Sequence, residues 1–214
     1  MAAIKLHGNS HSTAVRRVLA CLYEKELEFE FVFVDRNIGQ HKKEPYLSLQ
    51  PFGQVPALED GDLKIFESRA ITNYIAKEYG DKGTQLIYTS GTQMAEMLVW
   101  MEVEAHQFNP AFSNLKLLVQ ASRRGSPMST AVVEECEAKF SKVLDVYEAR
   151  LGQSEYLAGD GFTLADLHHL PTISYLMATE YKKLFDSLPH VSAWVANITA
   201  RPAWVKALAT KDQQ

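Results

Sequence analysis

Cysteine is scarce in this sequence. Cys21 and Cys136 are the two among 214 residues, and they make neither a C-x-x-C pair nor a metal-ligand cluster. That excludes a C-x-x-C redox motif and a cysteine-built metal centre, and it favours a reducing, cytoplasmic setting. Long apolar runs are missing as well, so no segment reads as a membrane span. The opening MAAIKLHGNS lacks the apolar core of a secretion signal. Charge of one sign does not dominate: the formal net charge is −4 and the pI is near 6.0. Basic residues come as isolated pairs, Arg16-Arg17, Lys42-Lys43, Arg123-Arg124 and Lys182-Lys183. Isolated pairs without a basic stripe argue against an extended nucleic-acid footprint. There is no internal repeat and no low-complexity tract. What is present is a hydrophobic content of 46% in a 24.1 kDa chain, enough for the core of one large or two small domains.

The first third alternates strand and helix signals. Ala3 to Leu6 reads as a short strand ending at Gly8. Val15, Val18, Leu19 and Leu22 then recur at helical spacing in a helix that ends near Glu26. LEFEFVFV, Leu27 to Val34, alternates apolar and acidic residues before turning wholly apolar, as a strand entering a core does. His41 to Leu49 is expected as a short, irregular helix with Pro45 in or near its first turn. A strand near Val55 to Leu58, a turn at Asp60-Gly61 and a strand at Leu63 to Phe66 follow, the Asp-Gly pair being a strong hairpin signal. Ala70, Ile71, Tyr74 and Ile75 give the next helix an apolar face. The order is βαβ then αββα, a compact α/β domain closing near Tyr79.

Beyond the polar linker GDKGTQL the strand signals vanish. Met94, Met97, Leu98, Met101, Ala105 and Phe108 mark a long helix, which Asn109-Pro110 should kink or interrupt. ASRRGSPMS, 121–129, is expected as a flexible connection. Val133, Cys136, Phe140, Val143, Leu144 and Tyr147 then repeat at helical spacing as far as Gly152. Thr163-Leu164-Ala165-Asp166 has the form of a capping box, with Phe162 and Leu167 placed as a hydrophobic staple. Helices around Tyr175 and Trp194 complete an all-helical second half.

The segment QVPALEDGDLKIFESRAI, Gln54 to Ile71, carries the chemistry. Proline gives no backbone hydrogen bond to a sheet, so Pro56 marks an edge or a bend. A cis Val55-Pro56 bond would cost only about 0.5–1 kcal/mol relative to trans and would leave the Val55 backbone free to pair with a peptide-like ligand. Glu67-Ser68 follows where a helix begins. Unpaired N–H groups there favour a bound carboxylate, the serine adds a donor and the glutamate accepts from an amine. The pattern suits a small ligand with an amino acid head group and a peptide bond. On spacing alone, an edge strand and an N-capping Ser68 account for the same residues equally well.

HKKEPYLSLQPFGQVPALEDGDLKIFESRAITNYIA strongly resembles the glutathione-binding segment of cytosolic glutathione transferases, and looks most like the phi class of plants. The likeness extends over nearly the whole chain, through the linker to the FTLADL capping box. It implies a thioredoxin-like βαβαββα domain over 1–79, a linker over 80–91, and an all-helical domain over 92–214 that contributes an electrophile site. In GNSHSTAVRRVL the resemblance places the active serine at Ser12, with Ser10 and Thr13 as fallback donors. It assigns His41 and Lys42 to the glycine carboxylate of glutathione, Gln54, Val55 and Pro56 to the tripeptide backbone, and Glu67 and Ser68 to the γ-glutamyl end. Phe52 becomes an aromatic key for a partner subunit in a two-fold homodimer. Glutathione is implied as co-substrate, with no permanently bound cofactor and no metal.

Mechanism follows from thiol chemistry. A free thiol of pKa about 8.5 is mostly protonated at neutral pH, and the thiolate is the nucleophile. Ser12 should donate a hydrogen bond to the glutathione sulfur, and the N-terminus of the following helix should help. Either Arg16 or Arg17 adds positive field. The thiolate would then attack a hydrophobic electrophile or reduce an organic hydroperoxide. Thr13, Phe112, Leu115, Val119 and Tyr175 are the candidates for the electrophile site, although ordinary core packing explains the last four equally well. His11 reads as a loop histidine, Cys21 as a packed thiol, Asp166 as a capping residue and His168-His169 as structural, because adjacent positions cannot share a helix face as ligands. No cysteine occupies 10–13, which disfavours thiol exchange. The competing reading is a non-catalytic carrier of apolar plant metabolites on the same fold; fold alone does not separate the two.

Overall fold

The computed structural model describes residues 4–212. The expected first strand begins at Ala3, which lies outside the described residues. The chain divides into two compact units. One runs to Ile87 and takes back the stretch from Ala200 onward; the other is Tyr88–Thr199.

The first unit is built on a four-stranded mixed sheet in the order β2-β1-β3-β4. β1 (Ile4–Gly8) pairs parallel with β2 (Phe29–Phe33) and antiparallel with β3 (Ala57–Asp60), which forms a hairpin with β4 (Leu63–Phe66). Along β1 the side chains of Ile4 and Leu6 are buried while Lys5 is exposed, the period-2 pattern of a strand. β1 and β2 are joined by α1 (Thr13–Glu24), whose Val15, Val18, Leu19 and Leu22 are fully buried, as their spacing predicts. α1 lies so close to the sheet that a Cβ on Gly8 would come within 2.6 Å of the Val15 side chain. α2 (Ser68–Glu78) packs beside α1 through Ile71, Thr72, Ile75 and Ala76, while Ala70, expected on the apolar face, is exposed. The returning α10 (Pro202–Ala209) also packs on α1.

Three expectations need correction here. The strand predicted from Val55 starts at Ala57. Pro56 stands before it, because a residue without an N–H cannot give its share of a ladder. The short helix expected over His41–Leu49 is instead two single 3-10 turns, Gln40–Lys42 and Tyr46–Ser48, with Pro45 preceding the second. The Val55–Pro56 peptide is cis, and so is Glu44–Pro45. The hairpin turn is Gly61-Asp62, one residue later than the Asp60-Gly61 expected because Asp60 still pairs with Leu63, and Gly61 at φ +60° takes the position a type II′ turn reserves for glycine.

The second unit is helical. α3 (Gly91–Val103) passes through a π-helical turn, Glu104–Phe108, into α4 (Asn109–Arg123). The interruption has the expected cause: Pro110 has no N–H to return to the carbonyl of His106 and its ring crowds that carbonyl, so the ladder loosens one turn earlier. α4 reaches Arg123, so the connection predicted from Ala121 is shorter than expected. α5 (Thr130–Leu151), α6 (Leu164–Leu167), α7 (Leu170–Met177), α8 (Lys183–Asp186) and α9 (Pro189–Thr199) complete the unit. The capping box at Thr163 and Asp166 is formed, and Phe162 and Leu167 are both buried. Asp166 does more than cap. Its Oδ1 accepts from the Leu157 N–H and from Trp194 Nε1, each at 3.0 Å, and its Oδ2 accepts from the Thr163 N–H at 3.0 Å. Burial pushes its pKa up to about 6 in spite of these bonds. His169 joins the aromatic core of Phe108, Tyr147 and Trp194, with Nε2 2.9 Å from the Tyr147 hydroxyl.

Candidate functional site

Strand register assembles the site. His7 faces Ala57, and Ala57 faces Phe66. The loop leaving β1, the Val55-Pro56 segment entering β3 and the Glu67-Ser68 step leaving β4 therefore meet at one end of the sheet. The sequence marks all three; antiparallel pairing is what makes them neighbours.

Ser12 is the N-cap of α1, and its Oγ accepts the Val15 N–H at 3.4 Å. The helix-capping role and the chemical role are thus compatible. An Oγ that accepts from the helix keeps its own proton to donate outward. The unpaired N–H groups of the first turn of α1 add a positive end beside it. Thr13 is the first helical residue, one place further on. His11 is exposed and Ser10 is buried.

Glu67 precedes α2 at φ +68°, in the region that a side-chain-bearing residue rarely enters. Such strain persists where the surroundings hold it, commonly at ligand sites. Ser68 is the first helical residue, not the N-cap, and the N-cap Glu67 makes no side-chain capping bond to α2. Its leading N–H groups are left for an anion. Ser68 is buried, and its Oγ accepts a 2.8 Å hydrogen bond from Nη1 of Arg17, also buried. The two arginines therefore divide: Arg17 turns in to Ser68, whereas Arg16 donates from Nε to the Ser10 carbonyl at 2.8 Å.

The third side is the 40–56 excursion. Lys42 Nζ donates to the Phe52 carbonyl at 3.0 Å. Gly53, at φ +58°, passes so close that a Cβ would sit 2.7 Å from the His41 carbonyl. The ring nitrogen Nδ1 of His41 is buried without a hydrogen-bond partner. Burial, then the Lys42 and Arg36 cations, depress the His41 pKa. Gln54 is exposed, Val55 half-buried and Pro56 buried. The Gln54 carbonyl accepts from the Tyr46 hydroxyl at 2.6 Å, and Gln50, itself buried, accepts from the Phe52 N–H at 2.7 Å. Tyr46 and Gln50 carry no signal in the sequence that marks them as supports of the site, and the sequence offers Arg17 only as an alternative to Arg16, since nothing local distinguishes a polar residue that will be buried. Phe52 is 67% exposed and edge-on to Phe66.

Phe112, Leu115, Val119 and Tyr175 belong to the helical unit. Phe112, Leu115 and Val119 are buried there, and Tyr175 is half-buried and edge-on to Phe112 with ring centroids 5.7 Å apart. Lys116 Nζ lies 5.7 Å from the centre of the Tyr175 ring. Cys21 is enclosed on α1 and burial pushes its thiol pKa up, the state of a packed thiol. Among the described residues no group of three or more His, Cys, Asp or Glu is placed to hold a metal, and no helix is long and apolar enough to cross a membrane.

A thioredoxin-like sheet with a polar, strained ligand end, followed by an all-helical unit, defines the architecture of glutathione-dependent transferases. Two family profiles match: "Glutathione S-transferase, N-terminal domain" over residues 2–77 and "Glutathione S-transferase, C-terminal domain" over 108–202. Tobacco (Nicotiana tabacum) glutathione S-transferase PARB is 59% identical over 96% of this chain and 97% of its own length. The crystal structure of glutathione transferase F7 from Populus trichocarpa is 46% identical over 96% and 97% of the two chains, with a TM-score of 0.89. A maize structure, glutathione S-transferase I in complex with an atrazine glutathione conjugate, is 39% identical over 97% of each chain, with a TM-score of 0.89. The chain belongs to the glutathione S-transferase family, in its plant phi class. It is a glutathione transferase enzyme.

Proposed function

We propose that Ser12 is the thiolate-stabilising residue and that the chain conjugates glutathione to hydrophobic electrophiles. The observation that carries this reading is the hydrogen-bond state of Ser12. Its Oγ is engaged as an acceptor by α1, so its proton is available to the glutathione sulfur and favours the ionised form. The γ-glutamyl end is held by Glu67, Ser68 and the uncapped N-terminus of α2. The tripeptide backbone pairs with Val55 beside Gln54 and Pro56, and the glycine carboxylate lies with His41 and Lys42. The buried, unpartnered His41 Nδ1 supports this last assignment, because a group in that state gains from a ligand that meets it.

The sulfur attacks an electrophilic carbon, a C–S bond forms, and the leaving group departs with its electron pair. Ser12 holds the sulfur and forms no bond to substrate. Within the helical unit, Phe112 and Tyr175 contact the electrophile, and Leu115 and Val119 back them as enclosed apolar residues. The bound atrazine conjugate of the maize relative supports a flat, apolar second substrate. Reduction of organic hydroperoxides by the same thiolate is a secondary activity. The chain works in the cytoplasm as a homodimer, with the exposed Phe52 as the key to its partner.

The test is the ultraviolet thiolate absorbance of bound glutathione across pH, in the native protein and in Ser12→Ala. Ionisation well below that of free glutathione, lost in the variant while binding persists, is the expected result. An unshifted thiol in both would sink the reading and leave the carrier of apolar metabolites in its place.

A further inference from the structure

The loop that delivers Ser12 is held from the far end of the chain. Its internal bonds are short-range: the Ser12 N–H donates to the Asn9 carbonyl at 2.9 Å and the His11 N–H to Asn9 Oδ1 at 3.0 Å. Ser10, between them, is fixed by two side chains from outside. Its N–H donates to Oδ1 of Asp212 at 2.7 Å, across 202 residues of sequence, and its carbonyl accepts from Arg16 Nε at 2.8 Å. Arg16 also sends its backbone N–H to the Ser12 carbonyl at 2.9 Å. Both backbone polar groups of Ser10, a residue 2% exposed, are thus satisfied by one carboxylate and one guanidinium, and those two charges attract each other. Asp212 follows α10, which is itself docked on α1. The latch therefore lies just beyond a helix packed on α1.

We propose that Asp212 is a positioning residue for the transferase reaction, fixing the Asn9–Ser12 turn so that the Ser12 hydroxyl meets the glutathione sulfur. The proposal rests on the assignment of Ser12 given above. Without the latch, the Ser10 N–H loses its acceptor in a buried place, and the turn must open or rotate to reach water. A hydroxyl that aims at a sulfur tolerates little displacement: about 1 Å costs up to roughly a hundredfold in rate.

The sign of the effect separates positioning from simple electrostatics. Removing a carboxylate near the site would by itself favour a second negative charge and lower the pKa of the bound thiol. Loss of positioning raises it. The experiment compares Asp212→Ala, Asp212→Asn and Ser12→Ala by thiolate absorbance of bound glutathione, turnover of 1-chloro-2,4-dinitrobenzene and thermal unfolding. In Asp212→Ala the bound thiol should titrate at higher pH and kcat should fall about tenfold. The melting temperature should stay close to that of the native protein. Asp212→Asn keeps the acceptor oxygen and should restore turnover to within about twofold. If Ser12→Ala shifts the thiol and Asp212→Ala does not, or shifts it downward, the latch is wrong and the Ser12 assignment stands. Equal losses in the Ala and Asn variants would also overturn it, because charge and not the hydrogen bond would then matter. If Ser12→Ala itself leaves the thiol unmoved, the Ser12 reading fails, and the latch has no hydroxyl to position.

Discussion

Nη1 of Arg17, on α1, donates a 2.8 Å hydrogen bond to the hydroxyl of Ser68 at the head of α2. Like Ser12, Ser68 is thereby an acceptor toward the protein and keeps its own proton to donate, as its proposed contact with the γ-glutamyl end requires. A charged donor in a buried position contributes about 1.5–3 kcal/mol to such a bond. Replacing Arg17 by Ala should raise the KM for glutathione about tenfold or more while kcat changes little, since the γ-glutamyl end lies away from the reacting sulfur. Steady-state kinetics with glutathione as the varied substrate tests it; a fall confined to kcat would refute the assignment.

Ser12 caps α1, and this role is separable from the thiolate-stabilising one proposed for it. Ser12→Ala should lower kcat roughly 100- to 1000-fold, the usual cost of removing one donor from a developing anion. It should also lower stability by about 1 kcal/mol through loss of the helix cap. Ser12→Thr, which keeps the hydroxyl, should preserve the cap. Chemical denaturation and turnover measured on the same samples distinguish the two losses.

Gly53→Ala should weaken glutathione binding from a distance. A Cβ there would lie 2.7 Å from both the His41 carbonyl and the Lys42 side chain, on a backbone at φ +58°. Backbone must move, and with it the segment assigned to the glycine carboxylate. Strain and overpacking of this kind cost about 1–3 kcal/mol. Calorimetric titration with glutathione should show weaker binding, whereas Gly61→Ala, in an open turn, should leave binding unchanged.

Asp166 makes stability depend on pH. Its native pKa of about 6 lies above its ordinary value of 3.8. The folded chain therefore holds more protons than the unfolded one between about pH 4 and pH 6. Stability from this group is greatest below that window and falls as pH rises through it, by roughly 3 kcal/mol in all. Asp166→Asn should abolish this slope. It should also lower stability at low pH by about 1–3 kcal/mol, because its amide nitrogen cannot accept from the Thr163 or Trp194 donors. Denaturant midpoints from pH 4 to 7 measure both effects.

Much of this protein was legible in its sequence because the signals are local. The helix from Thr13, the Gly61 turn, the Thr163–Asp166 box and the break before Pro110 each arise within a few residues, where periodicity and backbone sterics decide the outcome. The candidate site was legible through a resemblance carried by contiguous segments, 41–56 and 67–68. What adjacency could not reveal were the residues that turn those segments into one site. Pro56 stands outside its strand because a ladder needs its N–H, and Ser68 lies inside its helix because Glu67 takes the strained step before it.

Sequence alone determined the two-part architecture, the family and the residue types proposed to meet the tripeptide. Tertiary structure decided which arginine reaches Ser68, which buried glutamine braces the loop before β3, and that Asp212 returns to the turn beside Ser12. The physical reason is separation. A hydrogen bond between residues 51 or 202 positions apart leaves no periodicity in the chain, and it exists only once packing has brought its two ends together.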